Sequence, residues 1–377
     1  MRVTRRSVLL AGLFPAGVAF AQVSPATMLA HYGVQVFATY TDTLARTRQL
    51  REAVSRLVAA PSSATLVAAR QAWRFARERY ALTEAFRFYG GPVDGEAGPE
   101  PRINSWPVDE SYIEGLVGRR GFTIDNAALA DVNQQGGEEN VATGWHAIEF
   151  LLWGRDVDEA GPGRRPFTDY VRASSPDAVR RARYLTVVTD LLVDDLASVQ
   201  QAWAPEADNY RRAFERGGLD SVRKVIVGLG MLSRAELAGE RMEVPLASQD
   251  QEDEQSCFSD NTHNDIIADA LGLQNVWLGR YQCMDGKLMT GPSLRDLVAV
   301  RDAAAADQTT RLLAEALATA HALHSPFDQE ILGADDAPGR QRVQAVISAL
   351  KQATDSLVRS ASALGIKRLT FIDPKAR

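Results

Sequence analysis

His146 and Glu149 lie three residues apart in a stretch that is otherwise almost wholly apolar, Gly144-Trp-His-Ala-Ile-Glu-Phe-Leu-Leu-Trp-Gly154. On a helix, positions i and i+3 share a face, so the imidazole and the carboxylate can reach one ion or one substrate. A ring nitrogen beside a carboxylate oxygen suits iron, zinc or copper. Spacing alone decides little. With five histidines and 48 acids in 377 residues, chance gives about 0.6 such pairs per chain. A buried ion pair holding two helices in register would show the same spacing. The setting adds weight, because Phe150, Leu151, Leu152 and Trp153 make the flank hydrophobic. A His–Glu couple buried there needs partners to offset its desolvation. Gly144 leaves room for another helix or a ligand to come close. Two ligands do not complete a metal site, since zinc enzymes use three plus water and di-iron bundles recruit carboxylates from several helices.

Further acids could complete it. Glu84 sits among Phe86, Phe88 and Tyr89, where a carboxylate is conspicuous. Asp109 and Glu110 follow Trp106-Pro107 and fall in the first turn of a short predicted helix, where charge at the positive helix end explains them equally well. Glu138 and Glu139 invite the same helix-end reading. Glu236, Glu240 and Arg241 can pair along one helix. His263 and Asp265, after the break at Ser259-Asp260-Asn261-Thr262, read as a helix cap, and His31 as a structural residue. His321 and His324 are three apart with no adjacent acid and Ser325-Pro326 directly after, which marks a helix end. Nothing matches the H-E-x-x-H array of zinc peptidases.

The elements that must position these residues read as helices. Val34, Phe37, Leu44, Leu50, Val54 and Leu57 recur at helical spacing, as do Leu185, Val188, Leu192, Leu196 and Val199, and again Val343, Val346, Leu350 and Leu357. Ser62-Ser63 and Ser175-Pro176 look like helix starts. No segment alternates at period two for long enough to suggest a sheet. The expectation is an all-α fold of two helical-bundle halves, residues 22–204 and 205–377, parted near Pro205 and Gly217-Gly218.

The first residues form a separate region. Thr4-Arg5-Arg6, a short apolar run and Ala19-Phe20-Ala21 make a cleavable export signal over residues 1–21, with a twin-arginine-like pair. Its removal strips three arginines and no acid, taking the net charge from -6 to -9. An acidic chain has no electrostatic reason to seek nucleic acid or anionic lipid. No integral membrane segment is expected in the mature chain. In an oxidising compartment Cys257 and Cys283 could form a disulfide, or stay as two thiols too far apart to bridge.

Gly144-x-His146-x-x-Glu149 resembles the GxHxxE signature of the imelysin family. The string from Gly136 to Gly154 is similar to its iron-regulated protein A-like branch. So are Glu84 to Gly90, Asn104 to Glu110, Glu236 to Met242 and Cys257 to Asp265. The resemblance runs in order through the mature chain. It implies two helical bundles with GxHxxE near their junction, in a periplasmic or cell-envelope protein tied to iron or another metal. The leading expectation is a metal-binding protein of iron acquisition, with His146 and Glu149 as ligands, Glu84, Asp109 or Glu110 completing the site, and a membrane iron-transport component as possible partner. The alternatives are a metallopeptidase, and an envelope protein that binds a partner without metal.

Overall fold

The computed structural model describes residues 23–157, 161–367, 369 and 371; the leader read from residues 1–21 lies outside them. Helix α1 (Pro25–Ala59) begins at Ser24, whose hydroxyl accepts from the Thr27 amide while Thr27 accepts from the Ser24 amide. Such reciprocal capping satisfies amides that have no partner within the helix. Helix α2 (Ser63–Ala81) starts the same way at Ser62 and Thr65, where the sequence predicts a start. The start predicted at Ser175-Pro176 falls slightly later, at Ala178. Asp177 precedes it and binds Arg120 at 2.7 Å instead of capping the helix.

After α1 and α2 come α3 (Glu110–Gly118), α4 (Gly144–Trp153) and α5 (Ala178–Ala202). Helix α1 packs along α2 and α5, and α4 lies between α2 and α5. Helix α6 (Gly218–Gly230) runs directly into a π-helical stretch, Met231–Glu243. Then follow α7 (Thr262–Leu278), α8 (Ala303–Ala320) and α9 (Pro338–Ala363), with α8 packed on α7 and α9, and the π-helix on α9. The fold is all-α, as the hydrophobic periodicity implies.

One element has no counterpart in the sequence reading. Strands β1 (Arg280–Gln282) and β2 (Leu288–Thr290) pair antiparallel, with Arg280 opposite Thr290. Three residues per strand are too few for a period-two signal to emerge.

The apolar core runs without a break from Met28 in α1 to Ile366 beyond α9. Helix α7 crosses to meet α2 and the turn Glu84–Phe86, and the turn Cys257–Ser259 packs on α4. Cys257 and Cys283 are free thiols, so the possible disulfide is not formed. Cys257 belongs to the main core, while Cys283 packs against a separate small cluster around Leu82 and Tyr281. Among the described residues, no helix is long and apolar enough to cross a membrane.

Candidate metal centre

All ten residues of α4 are buried. Its mean apolarity drives that burial, and its entry depends on Gly144. There φ is +83°, and a Cβ would stand 2.4 Å from the Ile103 carbonyl oxygen. The close approach expected at this glycine is therefore made by backbone, not by a ligand. A Gly144→Ala substitution is expected to cost at least about 1–3 kcal/mol from backbone strain, with the carbonyl clash added. Urea denaturation should show the loss as a lower midpoint at unchanged slope.

The imidazole and the carboxylate do meet, but in series. His146 Nδ1 lies 2.8 Å from Glu149 Oε2. The other carboxylate oxygen, Oε1, accepts from the Ser259 amide at 3.0 Å and the Ser259 hydroxyl at 2.6 Å. Both oxygens of Glu149 are thus engaged, and the carboxylate stands behind the ring instead of beside it. The far nitrogen, His146 Nε2, is buried and has no hydrogen-bond partner among the described residues. This is the arrangement in which a carboxylate orients a histidine toward a metal. It differs from the expectation that both side chains converge on one ion.

Electrostatics keep the ring uncharged, and the protonation of Glu149 decides its tautomer. Burial, then the charges of Arg77 and Arg241, hold the His146 pKa well below its ordinary value, so the imidazole is neutral. Burial raises the Glu149 carboxyl to about 8, with Asp265 pushing the same way and the Ser259 hydrogen bonds and Arg77 opposing. Above that value Glu149 is ionised, Nδ1–H donates to it and the lone pair of Nε2 is left for a cation; below it the protonated carboxyl donates to Nδ1 and the ring proton sits on Nε2.

Nε2 belongs to a side chain that lines a tight pocket of about 10 Å³, room for about one water-sized sphere, together with Glu110, Glu252, Glu254, Cys257 and Phe258. Neutral imidazole and carboxylates fit iron, zinc or copper, and an orphaned buried nitrogen has a physical reason to want one. A larger pocket near Gly154 is lined by Arg155, Arg164 and Arg165 together with Asp156 and Asp169, and holds no histidine.

The other acids divide. Glu110 lines the pocket, and its carboxyl is raised by burial. Asp109 caps α3, accepting from the Ser111 amide at 2.8 Å, which is the helix-end role. Glu84 is taken by arginines: Arg87 at 2.6 Å and Arg241. Arg241 also binds Asp269 at 2.6 Å and Glu236 at 2.8 Å. Glu84 is therefore a structural charge and not part of the histidine pocket. His31 reaches the Gly279 carbonyl at 2.8 Å, and His321 ends α8. Asp265 does more than cap: it is fully buried against Arg77 at 3.0 Å and accepts from Ser256 at 2.6 Å.

Three participants escaped the sequence reading. Ser259 was visible only as part of a break between helices, although it lies in one of the blocks that carry the family resemblance. Arg77 is hidden in the middle of α2 as an apparently ordinary charged position. Glu254 ends an acidic run that looks like a solvated loop, yet only 1 % of it is exposed.

The chain is similar to known proteins over most of its length. The model of the imelysin family (Imelysin, Peptidase_M75) matches residues 36–357. "Iron-regulated protein A" of Synechococcus elongatus is 28% identical over 335 residues, covering 86% of this chain and 82% of its own. A protein from Parabacteroides distasonis, described as an iron-regulated protein A precursor, superposes with a TM-score of 0.71 at 19% identity, covering 92% of this chain and 97% of that one. An imelysin-like protein from Psychrobacter arcticum 273-4 gives 0.64 at 16% identity, covering 90% and 95%. These two likenesses establish the shared fold.

Proposed function

Because the chain belongs to the imelysin family, we propose that it is an iron-binding protein of the cell envelope, taking iron as cargo through Nε2 of His146 with Glu110 as a carboxylate of the same pocket. The observation that carries this reading is the buried Nε2, without a hydrogen-bond partner, on a side chain lining a pocket that Glu110 also lines. Glu149 acts through the ring by fixing which nitrogen carries the proton, and Ser259 fixes Glu149. The relative named for iron regulation and the leader-like residues 1–21 support iron and export respectively. A role in iron acquisition, with delivery to a membrane component, is consistent with both.

The test is titration of the purified, chelator-treated protein with ferrous and ferric iron, zinc and copper. Wild type should bind one of the iron forms, and His146→Ala should weaken it by about 100-fold. Equal binding by both proteins would remove the histidine from the site. Chelator-sensitive cleavage of casein, lost in Glu149→Gln, would assign a metallopeptidase instead.

A further inference from the structure

The donors that hold Glu149 must themselves be held. Ser259 closes the turn Cys257–Ser259 and is fully buried, and the chain bends away at once, with Asp260 at φ +53°. Its amide and hydroxyl donate to Glu149, which leaves its carbonyl as a third buried polar group in need of a partner. Arg74, on α2, supplies one: Nη2 donates to the Ser259 carbonyl oxygen at 2.7 Å. The neighbouring Phe258 carbonyl accepts from the Gly163 amide at 3.0 Å.

The same guanidinium rests on Trp153, its central carbon 5.4 Å from the ring centroid. Trp153 is the last residue of α4, the helix that carries His146 and Glu149. Arg74 therefore touches both sides of the Glu149–Ser259 contact, the helix and the turn that meets it. Glu78 and Asp260 feel its charge, yet among the described residues its hydrogen bond goes to the neutral carbonyl. A planar cation held by a ring on one side and a carbonyl on the other fixes direction as well as distance.

We propose that Arg74 is a positioning residue of the histidine centre: by fixing the Ser259 carbonyl it aims the Ser259 donors at Glu149, and through Glu149 it orients the His146 ring. The chain of contacts runs from Arg74 to Ser259, Glu149 and His146 at 2.7, 2.6 and 2.8 Å, crossing from α2 to the turn and on to α4. Without Arg74 the Ser259 carbonyl is a buried acceptor left unmade, and the turn must rotate it toward another donor or water. That rotation carries the amide and hydroxyl away from Glu149, whose freed carboxylate no longer keeps Nδ1–H in one place. The consequence for iron rests on His146 being a ligand; the consequence for the ring does not. Arg70 provides the contrast. It lies one turn earlier on α2 and over the same Trp153 ring at 5.6 Å, but donates to the carbonyls of Leu152 and Arg165.

The experiment compares Arg74→Met, Arg74→Lys and Arg70→Met in the full chain, above a pH of about 8, where Glu149 is ionised. Nitrogen chemical shifts of the metal-free protein report the ring, titration with ferrous iron the affinity, and thermal melting the fold. Wild type should show a single tautomer with the proton on Nδ1. Arg74→Met should show a mixture of both tautomers and bind iron about tenfold more weakly. Arg74→Lys, which keeps a cationic donor near the carbonyl, should recover most of both. Arg70→Met should melt lower, yet keep the single tautomer and bind iron as wild type does. Arg74→Gln, with an arm too short to reach the carbonyl, should behave as Arg74→Met and replaces it if that variant fails to fold. The proposal is overturned if wild type already shows both tautomers, if Arg74→Met keeps the wild-type ring signals, or if Arg74→Lys is no better than Arg74→Met. It is equally overturned if Arg70→Met mixes the tautomers to the same extent, since general loosening of α4 would then be the cause. Should wild type bind no iron, the functional reading fails, and the ring signals still decide the role of Arg74.

Discussion

Arg241→Met is expected to destabilise the protein by about 3–5 kcal/mol, the cost of leaving buried charge without its partner. The guanidinium is almost fully buried and serves Glu84, Asp269 and Glu236 at once. Its hold on Glu236 follows from the π-helix, since i→i+5 bonding brings residues five apart together. Methionine keeps much of the volume and none of the charge, so Glu84 and Asp269 must protonate or draw in water. Glu84→Gln should cost less, because Arg87 keeps Glu100 and Arg241 keeps Asp269 and Glu236. Adding Asp269→Asn to Arg241→Met should recover part of the loss, a non-additivity that a double-mutant cycle measures. A pH dependence accompanies it. Burial pushes the Glu84 carboxyl up, but Arg87 and Arg241 outweigh this and hold it at about 2, below its ordinary 4.5. A carboxylate depressed on folding contributes stability that is present above pH 4.5 and lost as pH falls toward 2. Denaturation curves across that window should be steeper in pH for wild type than for Glu84→Gln. If Arg241→Met melted within a degree of wild type at neutral pH, the network would not be holding the turn Glu84–Phe86, the π-helix and α7 together.

The helices were legible because their signals are local. Ser62 and Thr65 announce α2 within four residues, and the stripe from Leu185 to Val199 lies inside one helix. The meeting of His146 and Glu149 was legible for the same reason. Their order was not, because it is set by Ser259, 110 residues further on. Glu84 shows the same limit: its apolar neighbours mark it as unusual, but only the fold brings Arg241 to it from 157 residues away. Glu254 carries no local signal of burial, standing in the acidic run Asp250-Gln-Glu-Asp-Glu254, yet the chain turns its carboxylate inward beside Asp328. Asp109 went the other way, its helix-end reading being the one its hydrogen bond to Ser111 supports.

Above a pH of about 8, where Glu149 is ionised, Glu149→Gln is expected to lower iron affinity by about 10–100-fold with little change in stability. Oε1 of Glu149 accepts two hydrogen bonds from Ser259, so the amide oxygen of glutamine must take that position. Its NH₂ group then faces Nδ1 of His146 across the 2.8 Å contact and can only donate. Nδ1 is forced to accept, the ring proton moves to Nε2, and the nitrogen facing the pocket loses the lone pair that a metal needs. Above a pH of about 8 a nearly isosteric change thus reverses the tautomer without removing a contact, while below it wild type already holds the proton on Nε2 and the two proteins should converge. Stability should hold or rise slightly, because burial already makes ionised Glu149 costly. Glu149→Ala, by contrast, should lose both properties, since it strands the Ser259 donors and opens a cavity. Nitrogen chemical shifts of the imidazole would report the proton directly, and calorimetry the affinity. If the glutamine variant bound iron as tightly as wild type, with its proton still on Nδ1, the carboxylate would not be what aims His146, and the pair would be a structural contact alone.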